Sequence, residues 1–327
     1  MTFAHGFREL LSSHAASVLC ARPVVVAAFE RTFDQNRPAF LEFVRENRGS
    51  SFLLQLGFEH ETPEPAAQLA TSVSSFLSDC PDARVVVLCN CRRECEAIGA
   101  HGVETRLVNH NAFLDERRYR AMRRRKIYDA AYLARVTPFK RHALIPAELS
   151  PRLMFLGTKD NYGDPAYKAE IRARFPSAKW ISEFRSIEVS SLLSRAKCGL
   201  ALSAAEGACF ASAEYFLCGL PIVDTPALGG RSALYPEEFV KYVDANENGV
   251  GGGIAHWSAN VPDPQEVRMA WLDKVAPMRA EYAELMRELT GRSAVPRFPH
   301  KLAIRTPRPG RLYSLAFQVY LALKEVF

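Results

Sequence analysis

Cys198-Gly-Leu-Ala-Leu-Ser-Ala-Ala-Glu206-Gly-Ala-Cys-Phe-Ala-Ser-Ala-Glu214-Tyr-Phe-Leu-Cys-Gly219-Leu-Pro221-Ile-Val-Asp224-Thr-Pro-Ala-Leu-Gly229-Gly230-Arg231 is the stretch whose reading decides the fold. It begins as a short apolar strand, turns at Ser203, and continues as a helix that Gly219 stops. A second strand, Pro221 to Asp224, and a glycine-rich loop follow. This is one βαβ unit with polar residues at the ends of its strands.

The two glutamates stand eight residues apart. In a helix that spacing is about 12 Å along the axis with about 80° of rotation, so both carboxylates fall on one side. Ionised carboxylates accept hydrogen bonds from vicinal hydroxyls. The sugar and the ribose of a nucleotide-sugar offer such hydroxyls on either side of a diphosphate. The N–H groups of Gly207 and Ala208, at the start of the expected helix, would face the anion. A plainer reading fits the same residues. Ser203 and Glu206 have the Ser-x-x-Glu spacing of a capping box, which needs no ligand, and Glu214 also suits an ordinary helix surface.

A second signal lies upstream in Ala134-Arg135-Val-Thr-Pro138-Phe-Lys140-Arg141. A strand from Tyr128 to Leu133 ends in a basic residue, and a helix is expected after Pro138 with Lys140 in its first turn. A cation there opposes the helix dipole, so its presence points to an anion nearby. One strand-to-helix turn thus carries two cations and another carries two carboxylates.

Together these residues resemble the retaining glycosyltransferases of the group 1, or family 4, class. In that class a Glu-x7-Glu motif precedes a Gly-x-Pro strand and a Gly-Gly loop, and an Arg-x4-Lys pair opens the second domain. Glu206, Glu214, Gly219, Pro221, Gly229, Gly230, Arg135 and Lys140 fall in that order and at that spacing, within residues 128–235. The resemblance implies an α/β fold of GT-B architecture, two facing Rossmann-like domains with a C-terminal helix crossing back to the first. The expected divisions are 1–125 on the acceptor side, 126–305 on the nucleotide-sugar donor side, and 306–327 as the crossover helix.

The same resemblance implies transfer of a sugar from a nucleotide-diphosphate sugar to an acceptor hydroxyl with retention, in bacterial glycan or glycoconjugate assembly. The acceptor would be a glycan, a lipid-linked species or a small molecule. Arg135, Lys140 and Glu206 take catalytic positions, joined by His110, because family members place a histidine near the close of the first domain. Glu214, Gly207, Ala208, Phe184, Arg185, Gly229 and Gly230 take donor-binding positions. No cofactor beyond the donor and no metal are implied, and the region has no Asp-x-Asp pair. Two alternatives stand beside this reading: a nucleotide-sugar 2-epimerase of the same architecture, and a scaffold that binds sugar nucleotides without turnover.

Composition sets the outer bounds. The 327 residues are 48% hydrophobic, enough for two domains with real cores. Net charge is +6, and the excess is concentrated in Arg117, Arg118, Arg120, Arg123, Arg124, Arg125 and Lys126. Read as a helix, these residues cover nearly every face, which fits a solvated linker helix. An anionic membrane surface is the other partner they suit. Nucleic acid fits less well, because no aromatic-and-basic recognition motif accompanies them. The eight cysteines show no disulfide framework, and Cys89-x-Cys91 with Cys95 lacks the second ligand pair a closed zinc site needs. With no secretory leader or membrane-length apolar run apparent, the expectation is a cytoplasmic protein, soluble or peripheral at the membrane.

Along the chain, residues 23–29, 51–57, 83–90 and 104–109 read as strands, with helices at 37–47, 63–78 and 92–100 between them. That alternation implies parallel strands covered by helices, with ligands beyond the strand carboxyl ends. Glu59, His60 and His110 fall on that rim. Further strands are expected at 153–157 and 179–183, and two helices at 262–275 and 276–289.

Overall fold

A computed structural model describes residues 5–157, 164–184 and 188–299. Within them the chain divides into two compact α/β units, residues 5–113 with 278–299, and Leu114–Pro277. The expected crossover helix at 306–327 lies outside the described residues, as does Arg185.

The first unit opens with α1 (His5–Ser12), which none of the expected elements covers. Its Phe7, Leu10 and Leu11 recur at helical spacing and are buried. An edge strand, β1 (Ala16–Ala21), pairs antiparallel with β2 (Val24–Phe29). Residues 10–29 are therefore a helix end and a hairpin, and the sheet is not wholly parallel. There follow α2 (Glu30–Gln35), α3 (Arg37–Glu46), β3 (Ser51–Gln55), α4 (Pro63–Asp79), β4 (Arg84–Cys89), α5 (Arg92–Gly99) and β5 (Thr105–Leu107). Strands β2 to β5 are parallel neighbours in chain order.

Strand β3 is buried along its whole length because both faces of the sheet are covered. Phe52 and Leu54 face a cluster of Phe7, Phe33, Phe40, Phe43 and Phe76. Leu53, pointing the other way, joins Tyr282, Leu285 and Met286. Each large side chain so buried stabilises the fold by about 1.5–3 kcal/mol.

The second unit contains β6 (Tyr128–Leu133), β7 (Leu153–Leu156), α6 (Pro165–Arg174), β8 (Lys179–Ile181), α7 (Val189–Leu193), β9 (Ala196–Ala201), α8 (Phe210–Leu217), β10 (Ile222–Asp224), β11 (Val240–Tyr242) and α9 (Glu247–Ala259). Its six strands are all parallel, in the order β11-β10-β9-β6-β7-β8. The chain moves outward from β6 to β8, then returns to lay β9 on the opposite side of β6. The direction of winding reverses between β6 and β9, and in a doubly wound sheet the crevice at such a reversal is where ligands bind.

The two helices expected at 262–289 are one, α10 (Pro264–Thr290), with Pro277 inside it. Its last turns belong with the first unit, whereas the expected second division runs to residue 305. Arg279 donates to the Ala112 carbonyl at 2.7 Å, and Glu288 pairs with Arg84 and Arg106 on β4 and β5. At the other end of the linker, residues 114–126 belong with the second unit.

The arginine-rich segment is not a helix; residues 120–127 have no regular structure. Arginines three and four apart would repel along such a helix, and the segment offers no apolar stripe to bury. Its backbone is instead bonded to side chains of the second unit. Arg268 donates to the carbonyls of Glu116 and Tyr119, Gln265 to that of Ala121, and the Arg120 N–H donates to Ser190 Oγ.

Two glycines fix the βαβ unit. Tyr215 of α8 crosses β9 at Gly199, where a Cβ would meet the ring at 2.5 Å, and its hydroxyl accepts from the Leu133 N–H at 2.6 Å. Gly219 ends α8 with φ +78°, and a Cβ there would lie 2.5 Å from the Pro264 carbonyl oxygen. Gly219→Ala therefore combines a left-handed backbone with overpacking. It is expected to destabilise the protein by about 2–4 kcal/mol, measured as a lowered urea midpoint at unchanged slope; a midpoint within error of the parent would refute this account.

Candidate functional site

Three loops leave the carboxyl ends of β6, β9 and β10 and are stitched together by main chain. Ala204 N–H donates to the Phe139 carbonyl at 3.0 Å, Leu228 N–H to Ala204 at 3.1 Å, and Glu206 N–H to Leu228 at 2.8 Å. Ala205 and Leu228 form a parallel bridge that extends the β9–β10 pair. This pairing overrides the expected helix start. α8 begins only at Phe210, so Glu206 lies outside the helix, the Ser203–Glu206 capping box does not form, and the two glutamates do not share a helix. Gly207 and Ala208 lie ahead of the helix rather than in its first turn.

The β6 loop also departs from expectation. After Pro138 the chain makes a single 3-10 turn to Lys140, then Arg141 adopts a left-handed conformation with φ +52°. For a residue with a Cβ this costs about 1–2 kcal/mol. The Arg141 guanidinium offsets it by bonding to the carbonyls of Leu202, Ser203 and Pro226 and to Thr225 Oγ1. The Tyr132 hydroxyl holds the Lys140 carbonyl at 2.5 Å. The turn is thereby set, and it aims the Lys140 side chain across the β6–β9 reversal.

There Lys140 Nζ meets Glu206 Oε1 at 2.5 Å. Lys140 is 8% exposed. The second carboxylate oxygen, Glu206 Oε2, is buried and has no hydrogen-bond partner among the described residues. Such an orphaned acceptor calls for a donor, and a hydroxyl supplies one. Below the turn, His142 is fully buried against the Tyr132 ring. Burial, aided by Lys140, pushes it down to about 3, so it stays neutral. Arg135 stands exposed at the mouth of the same loop.

On the β10 side, Gly229 takes φ +96° and Gly230 opens a 3-10 turn. That turn folds Arg231 inward. Its guanidinium is 1% exposed, pairs with Asp224 at 2.7 Å, and donates to Ser203 O at 2.8 Å and Thr225 O at 2.5 Å. Burial raises the Asp224 carboxyl to about 6, with Arg231 pulling it down. Arg141 and Arg231 hold the loops in place, and neither is among the expected site residues. Each sits directly beside a motif residue, Lys140 or Gly230, which was the one available signal.

Glu214 lies within α8, and its Oε1 accepts from the Tyr119 hydroxyl at 2.9 Å. Burial raises its carboxyl to about 7, while Tyr119 acts in the opposite direction. Tyr119 comes from the arginine-rich segment, a neighbour that spacing could not reveal. Phe184 is half-buried just past β8.

In the first unit, His110 is buried edge-on to Phe29, and burial lowers it to about 4. Glu59 is bonded to Thr62 and to the Glu61 N–H, and His60 Nδ1 to the Phe58 carbonyl at 3.2 Å. Both serve their own loop, as a polar loop residue commonly does.

Compared with known proteins by sequence, the chain matches no family profile and no curated protein. By structure it is similar to Anabaena HepE solved with UDP, at TM-score 0.58 and 12% identity over 82% of this chain and 79% of that one. Sucrose-phosphate synthase from Thermosynechococcus elongatus gives 0.55 and 12% over 90% and 80%. TarM gives 0.56 and 12% over 81% of this chain and 54% of TarM, so the chain spans about half of that protein's length. These likenesses are to the GT-B fold, and the chain has that fold: two Rossmann-like α/β units.

Proposed function

We propose that the protein is a glycosyltransferase that moves a sugar from a nucleotide-diphosphate sugar to an acceptor hydroxyl. The observation that carries this reading is the Lys140–Glu206 pair at the β6–β9 reversal, with an unsatisfied carboxylate oxygen beside the cation. A diphosphate and a sugar hydroxyl are the two groups such a pair serves. Lys140 and Arg135 oppose the charge that develops on the leaving diphosphate, while Glu206 Oε2 accepts from the sugar. The Gly229–Gly230 turn, with Gly207 and Ala208, lines the phosphate path; Phe184 lies on the base side, and Glu214 binds the ribose. That HepE was solved with UDP favours a uridine nucleotide as the first donor to try.

The finer reading is retention by a same-face route without metal, in bacterial glycan assembly. The cations that answer the diphosphate belong to the chain itself, so turnover is expected to survive EDTA. A 2-epimerase would release a free epimer of the nucleotide-sugar, and the same product assay distinguishes it.

Glu206→Gln is the direct test. The amide keeps the shape but loses the charge and one acceptor, worth about 1.5–3 kcal/mol, or about 10- to 150-fold in rate. Donor turnover and melting temperature on one preparation decide it. Near-normal turnover in a folded protein removes Glu206 from the reaction.

Glu214 predicts a pH dependence. A protonated carboxyl gives up an acceptor oxygen, so donor KM is expected to rise as pH falls through about 7. Tyr119→Phe deletes the bond that lowers this group, so the midpoint should move to higher pH. The folding linkage has the opposite sense. Because the folded value is raised above the ordinary 4.5, the stability from this group is fully present below 4.5 and is lost as pH rises through about 7. A KM profile flat from pH 5.5 to 8.5 would exclude Glu214 from the donor site.

A further inference from the structure

Residues 115–127 carry seven basic side chains against two acidic ones, a net of five of the chain's six positive charges. The rest of the molecule is nearly neutral, so its positive field is local to this segment. Arg117, Arg118, Arg120, Arg123, Arg124 and Arg125 are all exposed. Asp115 answers Arg117 and Arg118, and Asp263 answers Arg123 at 2.6 Å. Arg124 and Arg125 have no ion-pair or hydrogen-bond partner among the described residues.

The backbone of this row is held to the second unit by Arg268, Gln265 and Ser190, so the arginines are presented without first folding a helix. Large apolar side chains stand exposed close in sequence to residues of this row or to residues that bond it. Ile127 is 47% exposed and follows Lys126 directly; Val261, at 42%, is two residues from Asp263, the partner of Arg123; Met269, at 53%, adjoins Arg268. A soluble polyanion uses the arginines and leaves these three side chains in water. A bilayer with anionic headgroups uses both, since cations meet phosphates while apolar side chains enter the headgroup boundary.

We propose that this face of the second unit docks on an anionic lipid surface. The surface lies outside the candidate site, and its test needs no turnover, so it stands or falls separately from the proposed activity.

The test is sedimentation of the full chain with sucrose-loaded vesicles of phosphatidylcholine, with and without 30% phosphatidylglycerol, at about 0.15 M salt where the screening length is about 8 Å. Binding is expected to the anionic vesicles alone. Each arginine near the surface contributes about fivefold in partition, so Arg124→Ala with Arg125→Ala should lower it about 25-fold. Met269→Ser should lower it further without altering the charge. Arg45→Ala with Arg48→Ala removes equal charge from exposed sites in the first unit and should change partition by less than twofold. Absence of vesicle binding, equal losses from both double variants, or tight binding of a mixed-sequence RNA oligomer without vesicle binding each overturns the proposal.

Discussion

Lys140→Ala is expected to lower sugar-transfer turnover by at least a hundredfold, the usual loss when one preorganised group facing developing charge is removed. Lys140 also holds Glu206 Oε1 at 2.5 Å in a largely buried setting, so the substitution strands a carboxylate. Breaking a fully buried pair costs about 3–5 kcal/mol; with side-chain exposures of 11% and 18% this one should cost less. The two effects separate in Lys140→Ala with Glu206→Gln, which leaves no uncompensated charge. That double variant is expected to recover most of the lost melting temperature and none of the turnover. Recovery of turnover would mean that Lys140 acts only through Glu206. Arg135→Ala provides the contrast. Its side chain is exposed, so a loss of about tenfold or more in turnover should come with an unchanged melting temperature.

The second large effect is structural. Arg231→Ala leaves Asp224 buried without its 2.7 Å partner and removes a donor from the carbonyls of Ser203 and Thr225, of which Ser203 keeps Arg141. Removing one member of a buried ion pair costs about 3–5 kcal/mol. For a unit of this size that is a fall of about 6–20 °C in melting temperature. Arg231→Met with Asp224→Leu, which removes both charges and keeps bulk, should restore much of it. If Arg231→Ala melts within about 2 °C of the parent, the guanidinium is not the clamp described here.

These results bear on how far the sequence can be read. The strands and helices of the first unit from Val24 to Leu107 were legible apart from α2 (Glu30–Gln35), because continuous apolar runs alternate with amphipathic stretches and few long-range choices compete. The grouping of Lys140 with Glu206 was legible as a motif, but its geometry was not. Whether residue 206 is helical depends on Leu228, twenty-two residues further on, whose carbonyl takes the Glu206 N–H. Strand order is equally silent in the chain, and the reversal between β6 and β9 defines the crevice. Helix α9 went unread because Gly251, Gly252 and Gly253 argue against any helix. Gly253 is required there by contact: a Cβ would lie 2.7 Å from Val223. The arginine segment misled in the other direction. Its residues favour helix individually, and mutual repulsion with long-range backbone bonds decided against it.

That segment has a consequence for proteolysis. Six exposed arginines in an irregular stretch look like an open target for trypsin, yet a protease must draw several residues of extended backbone into its own active site. Here the carbonyls of Glu116, Tyr119 and Ala121 and the N–H of Arg120 are already engaged, and Tyr119 is moored through Glu214. Cutting must wait for the segment to lift away. The rate at which trypsin nicks the chain after Arg117, Arg118 or Arg120 therefore times that detachment, and a change at Glu214 that loosens Tyr119 would be read out as faster cleavage some ninety residues away in sequence.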